Sequence, residues 1–176
     1  MQIGFVSLGM GKATLEEALA VGQLAGCEVV ELNGRATVHR NLWAPPIDYG
    51  AIKARVARSG LAPTSLGGYS DFAQPTDKGL AAQVEQFVGY CRVAREMGIP
   101  VVRAFAGDVV ADHTLDDLYP RLVAGFKAVT ARVADWGLKI GIENHSHLIN
   151  DGDRLFRLIH DVGSPILGMT LDTGNF

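Results

Sequence analysis

Glu143, His145 and His147 stand two residues apart in the stretch Lys-Ile-Gly-Ile-Glu-Asn-His-Ser-His that runs from Lys139 to His147. Extended backbone sends alternate side chains to opposite faces, so this carboxylate and two imidazoles share one face while Ile140 and Ile142 anchor the other. A second acidic residue, Asp172 in Leu-Asp-Thr-Gly-Asn175, ends a short apolar run in the same way. If the two run ends lie side by side, Glu143 and Asp172 can hold one divalent cation, and Glu143 can serve as a base. The plainer roles are a helix N-cap for Asp172 and a surface position for Glu143. Acidic side chains directly after buried runs are costly without a partner, which favours metal or acid-base use.

His145 can bind metal, contact substrate, shuttle a proton or be structural, and His147 has the same options further along the loop. His39, His113 and His160 fall in loop or helix contexts that suit solvated or structural roles. Arg103, on an apolar run, must pair with a carboxylate such as Glu31 or Glu143 or reach an anionic ligand. Asn33 shares a face with Glu31 at another run end.

The elements that must position these residues follow one rhythm. Strands are expected to begin near residues 3, 28, 61, 101, 139 and 167. Between them, Thr14 to Glu17 opens a helix as a capping box, 48–59 and 77–97 carry apolar residues at helical spacing, Thr114 to Asp117 is an acidic cap for a helix to Trp136, and 153–162 is helical. Pro63 is expected to break the third strand, Pro120 to push the fourth helix start later, and Met169 and Leu171 to pack outward against helices. The turn Gly9-Met-Gly11-Lys12 matches no phosphate-binding signature and reads as an ordinary connection.

A (βα)5β alternation implies a parallel α/β sheet, either doubly wound or part of a (β/α)8 barrel. Polar residues end strands two, four, five and six instead of gathering at one switch point, which favours the barrel. Six of eight βα units in 176 residues scale to roughly 235 for a full barrel of about 250. The expectation is one partial TIM-barrel domain over 1–176, incomplete by two units. Its unpaired edges are expected to drive homo-oligomer formation.

With 48% apolar residues the chain can bury one sizeable core. Its 16 basic and 19 acidic residues are dispersed, so no polybasic stripe follows a nucleic acid backbone. No apolar run approaches the roughly 20 residues of a membrane helix, and the N-terminus lacks a signal-peptide pattern. A cytoplasmic address is expected, with Cys27 and Cys91 as reduced thiols.

Gly-Ile-Glu143-Asn-His145, followed after a helix by Leu-Asp172-Thr-Gly-Asn175, resembles the xylose isomerase-like TIM barrel superfamily, which includes sugar phosphate isomerases and epimerases and the endonuclease IV group. Further similarities are Leu32-Asn33, Pro63-Thr-Ser-Leu-Gly67 and Val102-Arg103-Ala-Phe-Ala-Gly107. The resemblance implies that Glu143 and Asp172 are ligands of a divalent metal (Mn²⁺, Mg²⁺ or Zn²⁺), completed by a His from strand seven and a Glu from strand eight. It also implies that His145 lines the substrate pocket and that Glu143 is a candidate base; with the readings above, the candidate catalytic residues are Glu143 and His145 and the candidate sugar-binding residues are Asn33, Arg103, His145, His147 and Asn175. Asn175 stands where many relatives have the histidine of Asp-x-x-His.

The implied reaction is isomerisation or epimerisation of a sugar or sugar phosphate by proton transfer through an enediolate, conditional on the remaining ligands being supplied. Alternatives within the same fold are a non-catalytic polyol-binding or assembly remnant, and an abasic-site endonuclease.

Overall fold

A computed structural model describes residues 1–145 and 147–175; Ser146 and Phe176 lie outside the described residues. Six strands alternate with five helices: β1 (Gly4–Val6), α1 (Leu15–Leu24), β2 (Val29–Asn33), α2 (Tyr49–Arg58), β3 (Ala62–Gly67), α3 (Asp77–Met97), β4 (Val101–Ala104), α4 (Leu115–Arg132), β5 (Lys139–Glu143), α5 (Gly152–Val162) and β6 (Leu167–Thr170). Among the described residues these six strands pair only in parallel and with sequence neighbours, giving the order β1-β2-β3-β4-β5-β6, and one isolated antiparallel bridge joins His145 to Ile149. This is the α/β barrel arrangement expected from the alternation, open between β6 and β1. One continuous core joins strand residues such as Leu32, Leu66, Val102 and Ile140 to helix residues such as Leu15, Phe87, Leu122 and Phe126.

Both expected caps form. Thr14 accepts the Glu17 amide while the Glu17 carboxylate accepts the Thr14 amide, and Thr114 and Asp117 repeat the exchange on α4. The second cap explains why Pro120 does not delay the helix. It lies inside α4, which begins at Leu115, because the cap satisfies the first-turn amides and the proline removes only one later bond, on an exposed face.

Pro63 likewise does not break β3. The register shifts between Val30 and Glu31, so that Val30 pairs with Pro63 and Glu31 with Ser65, and Thr64 is the extra residue of a bulge. A bulge tolerates the missing proline amide and re-aims the next side chain. Ser65 thereby donates to Glu31 Oε2 at 2.9 Å.

Met169 and Leu171 depart from expectation. They are 55% and 56% exposed, because no helix beyond α5 covers the outer side of β6 among the described residues. No helix among those residues is long and apolar enough to cross a membrane.

Candidate active site at the strand ends

Arg103 lies at the centre of the strand-end layer. Its register partners on either side are Gly67 on β3 and Gly141 on β5, and Gly168 continues the row on β6. In-register residues of parallel strands face the same way, so Gly67, which has no side chain, leaves its volume to the Glu31–Arg103 pair, while the space beside Gly141 is taken by the Thr170 side chain. A Cβ on Gly67 would meet Glu31 Oε1 at 2.9 Å and Arg103 Nη2 at 3.0 Å.

In that space Arg103 bridges β2 and β5. Its Nε and Nη2 donate to Glu31, at 3.0 and 2.8 Å to Oε1, and its Nη1 donates to Glu143 Oε2 at 2.5 Å. The three side chains are only 8–11% exposed. Burial alone would make the guanidinium easier to deprotonate, but the Glu31 hydrogen bonds and the charges of Glu31 and Glu143 more than offset this and raise its pKa. Of the two roles open to Arg103, the ion pair is the one formed, with both candidate carboxylates at once.

The second oxygen of Glu143 faces β6. Asn175 Nδ2 lies 3.2 Å from Glu143 Oε1, 3.0 Å from Asp172 Oδ2 and 3.3 Å from His145 Nδ1. His145 Nδ1 is itself 3.1 Å from Glu143 Oε1, so its proton goes to the carboxylate and the two amide hydrogens of Asn175 serve Glu143 and Asp172. Two carboxylate oxygens and an imidazole nitrogen thus surround one point, held by an amide nitrogen. Carboxylate oxygens of this kind suit Mg²⁺, Mn²⁺ or Zn²⁺, whereas the protonated His145 Nδ1 has no lone pair to offer. Among the described residues, however, no group of three or more His, Cys, Asp or Glu side chains is arranged to hold a metal ion.

The pairing of Glu143 with Asp172 depends on Asn144, which is 1% exposed. Its side-chain amide donates to the Asp172 carbonyl at 2.8 Å and accepts the Asp172 amide at 2.7 Å, adding a side-chain rung to the β5–β6 ladder just past its end. Asp172 is then turned inward by its own Oδ1, which accepts the Gly174 amide at 2.8 Å.

Asn33 is fully buried behind this layer. It donates to the Tyr69 hydroxyl at 2.5 Å, accepts the Arg35 amide, and takes Trp43 Nε1 on its carbonyl. Its own amide donates to Ser7 Oγ at 2.9 Å, and Ser7 Oγ meets His39 Nε2 at 3.0 Å. His39 Nδ1 faces the Ala13 carbonyl, an acceptor only, so Nδ1 carries the proton and Nε2 accepts from Ser7. Burial lowers the His39 pKa, and the bond to Ala13 opposes this only in part. His39 is therefore structural. His113 and His160 are exposed, and His147 is exposed on the loop without lining the cleft.

The cleft over these groups has a main lobe of about 590 Å³, bounded by Glu31, Arg103, Glu143, His145 and Asp172. Arg35, Tyr69 and Phe105 also border it. Arg35 lies 3.9 Å from the Tyr69 ring centroid, and His145 stacks on Phe105 at 4.3 Å and 24°. None of Arg35, Tyr69, Phe105 and Asn144 stood out in the sequence as a site residue. The only signal was the Gly67-Gly68-Tyr69 turn, whose glycines admit the Glu31–Arg103 pair and the β4 backbone, with the Gly68 amide donating to the Arg103 carbonyl at 2.9 Å.

Solved structures of similar fold include an L-ribulose 3-epimerase (TM-score 0.82, 24% identity over 99% of this chain and 61% of that one). A D-psicose 3-epimerase determined in the presence of D-fructose aligns with a TM-score of 0.82 and 16% identity over 99% of this chain and 64% of that one. An IolI protein with a bound zinc atom does so with a TM-score of 0.82 and 15% identity over 100% and 64%. The chain thus spans less than two thirds of the length of each of these three. No curated protein sequence matches it significantly. The profile of one family covers residues 19–176, spanning every strand from β2 onward and including Glu31, Glu143 and Asp172, and the chain belongs to that family, the xylose isomerase-like TIM barrels.

Proposed function

We propose that this chain carries the β5–β6 half of a metal-dependent site that isomerises or epimerises a sugar or sugar phosphate by moving a proton beside its carbonyl. The observation that carries the reading is the convergence of Glu143 Oε1 and Asp172 Oδ2 on one point, 3.2 and 3.0 Å from the Asn175 nitrogen. Glu143 and Asp172 would hold the cation, which would supply electrophilic stabilisation of charge developing on adjacent sugar oxygens. Arg103 fixes the far oxygen of Glu143, Asn144 fixes the backbone of Asp172, and His145, held over Phe105, presents Nε2 to a sugar hydroxyl. Solved neighbours that are sugar epimerases, and one that binds zinc, support the reading.

The test is calorimetric titration of the metal-free chain with Mn²⁺ and Zn²⁺, with Glu143→Gln and Asp172→Asn beside it, followed by solvent-deuterium incorporation into D-fructose. Stoichiometric binding lost in both variants is expected. No binding and no thermal shift in the parent chain would sink the metal-dependent reading.

A second reading, polyol binding without catalysis, is favoured by a different observation: Arg103 already engages one oxygen of Glu143, and among the described residues no third His, Cys, Asp or Glu side chain completes a metal-holding group. Sugar binding that persists in EDTA, with no deuterium exchange, would select it. We also propose self-association along the unpaired sides of β1 and β6, which light scattering at increasing concentration tests.

A further inference from the structure

The cleft has a second lobe of about 310 Å³ that the proposed chemistry leaves unused. Arg35, Tyr69, Phe105 and His145 line both lobes and so join them. Each lobe alone falls in the volume range of small-molecule sites, about 300–1,000 Å³. The outer wall is formed by Asp71, Gln83 and Asp108, from the segments after β3 and β4 and from α3. In a circle of eight positions the β3–β4 boundary lies opposite the opening between β6 and β1, so this wall is complete without further strands.

Besides His145 Nε2, which faces the joined lobes, four groups on this wall keep a donor or acceptor open among the described residues. Gln83 Oε1 accepts the Asp71 amide at 3.1 Å, which leaves Nε2 free. The Arg35 guanidinium lies on Tyr69 and has no carboxylate partner among the described residues, whereas Arg103 is paired with Glu31 and Glu143. The Tyr69 hydroxyl accepts from Asn33 and keeps its own proton to give. Asp108 Oδ1 accepts the Val109 amide at 2.8 Å, leaving Oδ2 to solvent. The ring faces are largely taken, Phe105 by His145 with Arg103 at 5.0 Å and Tyr69 by Arg35, so a ligand meets polar edges.

An anion in this lobe would face two carboxylates, Asp71 and Asp108, against one guanidinium. Hydroxyl groups, which both give and accept hydrogen bonds, match the mixed wall without that opposition. We infer that the second lobe takes the second ring of a neutral glycoside, so that the cleft binds a disaccharide-sized sugar in preference to a sugar phosphate. This rests on the sugar-site reading above and narrows its substrate class.

The test is calorimetric titration of the Mn²⁺-supplemented chain with D-glucose, D-glucose 6-phosphate and cellobiose. Cellobiose is expected to bind about tenfold tighter than glucose, the equivalent of ~1.4 kcal/mol, and the phosphate no tighter than glucose. Asp108→Asn, at an exposed position, and Gln83→Glu, which keeps the oxygen that accepts the Asp71 amide, are each expected to shrink the cellobiose advantage to below about threefold. Equal affinity for glucose and cellobiose, an advantage that survives both substitutions, or tightest binding of the phosphate would overturn the inference and leave the sugar site standing. Binding of none of the three would overturn both.

Discussion

Replacing Arg103 with leucine tests the Glu31–Arg103–Glu143 bridge directly. The substitution leaves two carboxylates, 11% and 8% exposed at their side chains, without the cation that both contact. Breaking a buried pair by removing one partner costs about 3–5 kcal/mol, because the remaining charge stays desolvated. At about 2–4 °C per kcal/mol for a chain of this size, the melting temperature should fall by roughly 6–20 °C.

The companion variant Glu31→Gln/Arg103→Leu/Glu143→Gln removes all three charges. Since an uncharged replacement leaves no charge uncompensated, it should recover at least half of the loss. Urea unfolding followed by far-ultraviolet circular dichroism reads both, with the slope checked for constancy so that the midpoint reports stability. If the single variant lies within about 1 kcal/mol of the parent, or the triple variant is no more stable than the single, the bridge does not hold the strand ends as argued.

Asn144→Ala removes both bonds to the Asp172 backbone; a loss of about 1–3 kcal/mol is expected from the buried groups left unpaired, and Mn²⁺ titration should show affinity down by roughly 10–100-fold. Glu16 is held at about 2 by hydrogen bonds from Arg55, so its contribution is full above its ordinary value near 4.5 and lost as pH falls towards 2. Because Glu16 is 55% exposed at its side chain, the pair contributes only ~0.5 kcal/mol. The urea midpoints of the parent and Glu16→Gln should therefore differ slightly at pH 7 and coincide at pH 2. His39 has its folded-state pKa lowered by burial. The unfolded chain accordingly takes up a proton near its ordinary value of about 6.5 that the folded protein resists. Stability should fall as pH drops below that value, and His39→Asn should flatten the slope between pH 7 and 5.

The fold was legible because its signals are local. Each strand begins within one residue of the position its apolar run indicates, and both capping boxes lie where Thr14 and Thr114 announce them. The two proline expectations failed for reasons no single position carries: a cap already satisfied the start of α4, and a bulge shared between β2 and β3 absorbed Pro63. At the candidate site, Glu143, Asp172 and Arg103 were legible as residues that would have partners, because charged residues on buried runs require them. Asn144, Tyr69 and Arg35 were not. Their roles depend on which residues of other strands stand opposite them, and the room that Gly67 leaves beside Arg103 acquires meaning only once the register sets the two side by side.

The strictly sequential strand order also bears on how the molecule comes apart. Every ladder joins neighbours separated by one crossover, so each loop closure is of similar modest length and no contact between distant strands must form first. Such a sheet behaves like a short linear array, in which β1 and β6 each have one neighbour while β3 and β4 have two. Opening should therefore begin at the ends and spread inward, with amide exchange fastest in β1 and β6 and slowest in β3 and β4. Because Asp172 hangs from β5 through Asn144 just past β6, the same fraying would open the carboxylate pair before the core lets go.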